Sequence, residues 1–197
     1  MVLCDVMPED PLFNYLIGET TDNQESVFRR AAHLNGLCQG CLFAVTGGQT
    51  TGYPGAEAWV SELINGYKIG RGQITVIPLQ GPLNTYTEMT ALAEYAKECG
   101  RKQVVITAAP FHQLRSFLTL LGAMRRLDMW IEQLRVYNLP GVPLPWQENV
   151  LHSQGVLRGT REELISAELQ RIRVYTDQGH LVTADEALHY LRQRDSA

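Results

Sequence analysis

ITVIPLQGPLNTYTEMTALAEYAKECGRKQVVIT, residues 74–107, decides the fold. Its two ends, residues 74–78 and 103–107, are short apolar runs rich in Ile and Val, the composition of strands. Between them, Met89, Leu92, Ala93 and Ala96 recur at helical spacing over residues 84–99, with Gly100 just past the end. Asn84 stands at the start, where its side chain can cap the first turn. A strand, a helix and a second strand joined this tightly form a right-handed crossover between parallel neighbours.

The same unit repeats outward. Residues 12–17 read as a first strand, 26–37 as a helix, 41–46 as a second strand and 55–64 as a short helix after Pro54. On the other side, 111–126 is a helix and 131–137 an alternating strand. Near-continuous apolar strands are those of a sheet covered on both faces. The expected architecture is therefore α/β: a three-layer Rossmann-like sandwich with a mainly parallel sheet of about five strands. Residues 1–138 make up this domain. Residues 139–197 begin with Pro140, Pro143 and Pro145 and a polar segment to Gly159. Two helices follow, capped by Thr160-Arg-Glu-Glu163 and Thr183-Ala-Asp-Glu186, forming a C-terminal helical appendage on the same domain.

A length of 197 residues suits one domain, and 45% apolar with 19% charged residues is globular composition. A net charge of −4 argues against nucleic acid or an anionic membrane as partner. The start has no basic residue, and Asp5, Glu9 and Asp10 interrupt it, so no leader peptide is expected and the compartment is cytoplasmic. Cys38-Gln-Gly-Cys41 has zinc-type spacing, but no second pair completes a site, and no metal is assigned. Cys4 and Cys99 stand alone.

Ligands of such sheets bind outside the carboxyl ends of the strands. The loops there are Gly18-Glu19-Thr20-Thr21-Asp22, Gly47-Gly48-Gln49-Thr50-Thr51, Gln80 to Thr85, and Ala108-Ala109-Pro110-Phe111-His112. Neither a Walker A sequence nor a GxGxxG turn is present, and the cofactor is undefined. Asn84, Thr85 and Glu88 open one helix with Glu88 four residues after the cap, on the same face. His112 and Arg115 open the next, three residues apart, where the helix dipole favours a neutral imidazole able to accept a proton.

These two segments resemble the DUF218 (YdcF-like, SanA-like) family, which pairs Asn-Thr and a following Glu with a later His and Arg. Gly47-Gly48 after the second strand adds to the resemblance, which covers roughly residues 10–137. It implies a Rossmann-like fold with no agreed reaction. Ala108-Ala109 stand where the family has a serine, and Gly18-Glu19 replace a glycine-rich run, bringing an acidic side chain towards the crevice.

The expected function is a small-molecule enzyme acting on an anionic, phosphorylated or nucleotide-like ligand. His112 and Glu88 are the candidate acid and base, and Arg115 the anion holder. Gly18, Glu19, Gly47, Gly48, Asn84 and Thr85 shape and line the pocket. The alternatives are a non-catalytic metabolite-binding module, a hydrolase holding Mg²⁺ on Glu19, Asp22 and Glu88, and a structural or interaction protein that could form a homo-oligomer.

Overall fold

The computed structural model describes residues 5, 12–38, 40–48, 50–152 and 157–196. Cys4, Glu9, Asp10 and Gln49 lie outside the described residues.

Strands β1 (Phe13–Leu16), β2 (Leu42–Thr46), β3 (Ile74–Ile77), β4 (Gln103–Thr107) and β5 (Arg135–Asn138) form one parallel sheet in the order β3-β2-β1-β4-β5. Helices α1 (Gln24–Leu37) and α2 (Ala56–Asn65) join the first three strands. Helices α3 (Thr85–Glu98) and α4 (Gln113–Arg126) serve the other half. The chain steps from β1 outward to β3, then crosses back to β4 beside β1. Right-handed crossovers therefore place α1 and α2 on one face and α3 and α4 on the other. The two buried clusters follow this division. One holds Val27, Phe28, Trp59 and Leu63 against Leu16 and Val45; the other holds Met89, Leu92, Phe117 and Leu121 against Tyr15 and Ile106. The three-layer Rossmann-like sandwich and its C-terminal helices are as the sequence predicts.

Two elements differ from expectation. The last strand begins at Arg135, because Trp130–Gln133 is a turn closed by the Gln133 and Leu134 N–H groups donating to the Trp130 carbonyl. Ile131 and Leu134 are buried at that turn and mimic the alternation of a strand. The polar segment before residue 160 also holds a second, antiparallel pair, β6 (Asn149–His152) and β7 (Leu157–Thr160). Its strands carry few β-branched or aromatic residues and left no periodic signal.

Helices α5 (Arg161–Asp177) and α6 (Ala184–Ser196) complete the chain. Leu181, Val182, Ala187 and Tyr190 bury into the α3–α4 side of the core. The Tyr190 hydroxyl donates to the Leu134 carbonyl at 2.9 Å and accepts from Val136 N–H at 2.8 Å, which ties α6 to the edge strand. The hairpin is tied to the β1–α1 loop instead. Leu151 N–H donates to Asp22, and its carbonyl accepts from Thr20 and Asn23. Among the described residues no helix is long and apolar enough to cross a membrane.

Candidate functional site

The strand order reverses direction between β1 and β4, and a crevice opens beyond their carboxyl ends. Its volume is about 530 Å³. The β1, β3 and β4 loops supply Gly18, Glu19, Asn84, Thr85, Glu88, His112 and Arg115 to its lining, and the β2 loop supplies Thr50, Thr51 and Tyr53. His152 from the hairpin, Arg171 and Tyr175 from α5, and His180 and Leu181 from the turn before α6 form the opposing wall.

His112 is the residue that caps α4, where the chain turns sharply after Ala109. Its Nδ1 lies 2.8 Å from Glu19 Oε1, and its Nε2 lies 3.2 Å from the Thr85 hydroxyl. Glu19 also accepts the Ala109 N–H at 3.1 Å. All three side chains are buried, with Glu19 only 2% exposed. Burial alone would raise the Glu19 carboxyl, but its electrostatic interaction and hydrogen bond with His112, aided by His152 and the Ala109 N–H, hold it below the ordinary range. An ionised Glu19 can only accept, so Nδ1 carries a proton, and in the neutral imidazole the lone pair then sits on Nε2, facing the Thr85 hydroxyl.

Arg115 lies one helical turn along α4. Its Nη1 donates to the Thr85 hydroxyl at 2.6 Å, while Nε and Nη2 both go to the Glu168 carboxylate. Glu168 further receives His152 Nε2 at 2.8 Å and Arg171 Nη1 at 3.0 Å. Burial would raise Glu168, yet the His152 bond and the Arg115 charge outweigh it and keep the carboxyl well below its usual range. His152 is pushed the other way. Burial lowers its imidazole despite the neighbouring carboxylates, so the ring is neutral and donates through Nε2. Its buried Nδ1 has no hydrogen-bond partner and stands 3.9 Å from Glu19 Oε2.

Glu88 reaches the crevice from the first turn of α3. Gly18 N–H donates to its Oε1 at 2.8 Å and the Tyr15 hydroxyl donates to the same atom at 3.1 Å. Burial dominates these two bonds and raises the carboxyl to about 8. Both donors meet Oε1, leaving Oε2 to carry the proton.

The structure brings Gly18, Glu19, Asn84, Thr85, Glu88, His112 and Arg115 together. Asn84 lines the crevice, but its side chain caps α3 by accepting the Thr87 N–H at 3.0 Å. Gly47 and Gly48 are not in the lining. A Cβ on Gly47 would stand 3.0 Å from the Ile77 carbonyl, and one on Gly48 2.6 Å from Leu79 Cδ2, so these glycines let neighbouring loops approach. Arg115 lines the crevice, with Nε and Nη2 donating to Glu168 and Nη1 to the Thr85 hydroxyl. The oxygen ligands suggested for Mg²⁺ are engaged elsewhere. Glu19 is on His112, Glu88 on Gly18 and Asp22 on Leu151, and among the described residues no group of three metal-ligating side chains is arranged to hold an ion.

His152, Glu168, Arg171 and His180 were not singled out from the sequence. A signal existed for two of them. The Thr160–Glu163 capping box fixes where α5 starts, and Glu168, Arg171 and Tyr175 then fall at spacings of three and four, on one face. No protein-family model matches this chain, and no curated protein sequence shows significant similarity to it.

Proposed function

We propose that this crevice is the active site of a small-molecule enzyme, cytoplasmic in setting, which acts on an anionic, phosphorylated or nucleotide-like ligand. The observation that carries the proposal is the buried line from Glu19 through His112 to a hydroxyl on the crevice wall. A carboxylate that orients an imidazole so that its free nitrogen faces a cavity is the arrangement of a general base. A histidine serving only to pack the fold has no need of an ionised partner buried behind it.

The anionic character of the ligand rests on the opposing wall. Arg115 and Arg171 share one carboxylate, that of Glu168, while the ionised Glu19 is turned towards His112, so the positive charge on that wall is local to Arg171. Arg171 is the more accessible of the two, with a side chain 20% exposed against 8%. Glu88, protonated at neutral pH, adds no opposing charge. Tyr53, Tyr86 and Tyr175 add aromatic surface to the lining, which supports a planar group in the ligand. The DUF218 likeness of the segments around Asn84 and His112 belongs to the same proposal.

A thermal-shift screen of nucleotides, sugar phosphates and S-adenosylmethionine, followed by product analysis, tests it. A ligand near 100 times its Kd should stabilise the wild type by about 2.7 kcal/mol. The shift should vanish in Arg171→Ala, and turnover should vanish in His112→Ala with the fold intact. No shift with any anion would overturn the ligand class. A ligand bound yet recovered unchanged would make the crevice a binding module.

A further inference from the structure

Thr85 is the first residue of α3, next to the capping Asn84. Helix capping does not use its hydroxyl, since the Asn84 side chain accepts the Thr87 N–H and the Thr87 hydroxyl accepts the Asn84 N–H. The Thr85 hydroxyl turns instead to two side chains far along the chain, His112 Nε2 at 3.2 Å and Arg115 Nη1 at 2.6 Å. It lies on the crevice wall with the residue 9% exposed. One partner can accept its proton, and the other donates to the same oxygen and so favours its anionic form.

Resting on the active-site reading above, we propose that Thr85 is the nucleophile of a Thr85–His112–Glu19 triad that hydrolyses a carboxylic ester bearing an anionic group. The geometry has the order the chemistry needs: nucleophile on base, and base on a buried carboxylate that fixes its tautomer. The helix start adds a further part. The N–H groups of Thr85 and Tyr86 precede the first N–H donors of α3, those of Thr87 and Glu88, and have no intrahelical acceptor. As unpaired N–H groups at the positive end of the helix dipole, they are assigned as the donors to a developing oxyanion.

In the first step Thr85 Oγ1 bonds to the ester carbonyl carbon and its proton moves to His112 Nε2. The bond from that carbon to the alcohol oxygen breaks, and the departing alcohol takes the proton from His112. In the second step a water gives a proton to His112 Nε2 while its oxygen attacks the acyl carbon. The bond to Thr85 Oγ1 breaks and the threonine oxygen recovers the proton. Ester and water become acid and alcohol, with no other reactant. Arg171 faces the anionic portion across the crevice.

The test uses 4-nitrophenyl acetate and its anionic counterpart, mono-4-nitrophenyl succinate, on the full chain. Wild type should release nitrophenolate with a burst, prefer the succinate, and show one acyl group on Thr85 by peptide mass spectrometry. Thr85→Val should lower the rate about 10²-fold or more and carry no acyl group, whereas Thr85→Ser should still be acylated. Binding is followed in parallel by the AMP-induced thermal shift. Undiminished hydrolysis in Thr85→Val, acylation at another residue, or hydrolysis no faster than in buffer would each overturn the nucleophile. An AMP shift persisting in those cases would leave the anion-binding reading standing. No AMP shift in wild type, together with no preference for the succinate while Thr85 is acylated, would overturn that reading and keep the nucleophile.

Discussion

The Glu168 carboxylate on α5 takes two nitrogens of the Arg115 guanidinium on α4, joining the C-terminal helices to the sheet domain at the edge of the crevice. Both side chains are almost wholly buried, at 8% and 3% exposure. The pair holds Arg115 so that its third nitrogen meets Thr85, and it places His152 and Arg171 around the same carboxylate. The second wall of the site therefore depends on a tertiary ion pair and not on the sheet topology.

Removing Glu168 should leave the Arg115 charge buried without its partner. A loss of about 3–5 kcal/mol is expected for Glu168→Ala, read by urea denaturation at pH 7. Paired replacement of Arg115 and Glu168 by methionines should be far less damaging than the sum of the two single changes, since the charge left without a partner is then Arg171, which is partly exposed, and not the buried Arg115. Additive losses would mean that the two groups do not stabilise one another.

The wall also depends on a glycine. Gly122 on α4 has no side chain to oppose the turn between α5 and α6, and a Cβ there would lie 2.3 Å from the His180 carbonyl and 3.2 Å from Leu181 Cα. Backbone is the obstacle, so no rotamer change relieves it. Gly122→Ala should cost about 1–3 kcal/mol and displace His180 and Leu181, which line the crevice. The expected readout is a lower melting temperature together with a weaker ligand-induced shift. An unaltered melting temperature would show that the turn moves away freely.

The sheet and its four covering helices were legible because each element states itself locally. Doubly covered strands such as Gln103–Thr107 are continuous apolar runs, and α3 carries a cap, an apolar stripe and a terminal glycine. Half of the site was legible for a related reason: in a parallel sheet the loops after each strand share one end, which puts Glu19 and His112 there, although only the fold shows that β1 and β4 are neighbours. The hairpin was not, since Asn149–His152 and Leu157–Thr160 have neither alternation nor β-branched density. Glu168 and Arg171 were hidden differently. In a helix as charged as α5 they have the composition of a solvated surface, and only the fold shows that Glu168 is buried.

Glu19 gives a test of the base without touching the ring that acts. Glu19→Gln keeps the shape, and its amide oxygen can still accept both His112 Nδ1–H and Ala109 N–H, but it removes the negative charge that stabilises the imidazolium formed when His112 takes a proton. Turnover should fall about 10²–10⁴-fold, with the substrate concentration for half-saturation little changed. The fold should survive, because Ala109 N–H can still donate to the amide oxygen. A Glu19→Gln enzyme with wild-type kcat would remove His112 from the role of base.

Glu88 makes stability depend on pH in a direction opposite to that of the other crevice carboxylates. Burial raises it to about 8 in the fold, against 4.5 for an ordinary glutamate. Between these values the folded protein keeps a proton that the unfolded chain releases. The group's contribution is therefore complete below about pH 4.5 and falls as pH rises towards about 8. Relative to Glu88→Gln, which carries a permanent neutral amide on the same two donors, wild type should lose about 3 kcal/mol between pH 4.5 and 7. Glu19 and Glu168 act oppositely, their stabilisation being lost as pH falls, but they are common to both proteins and drop out of the difference. Unfolding free energies from urea titrations at half-unit pH steps would show the two curves diverging. Parallel curves would mean that Glu88 is ionised in the fold, and a negative charge would then stand beside Gly18 in the crevice.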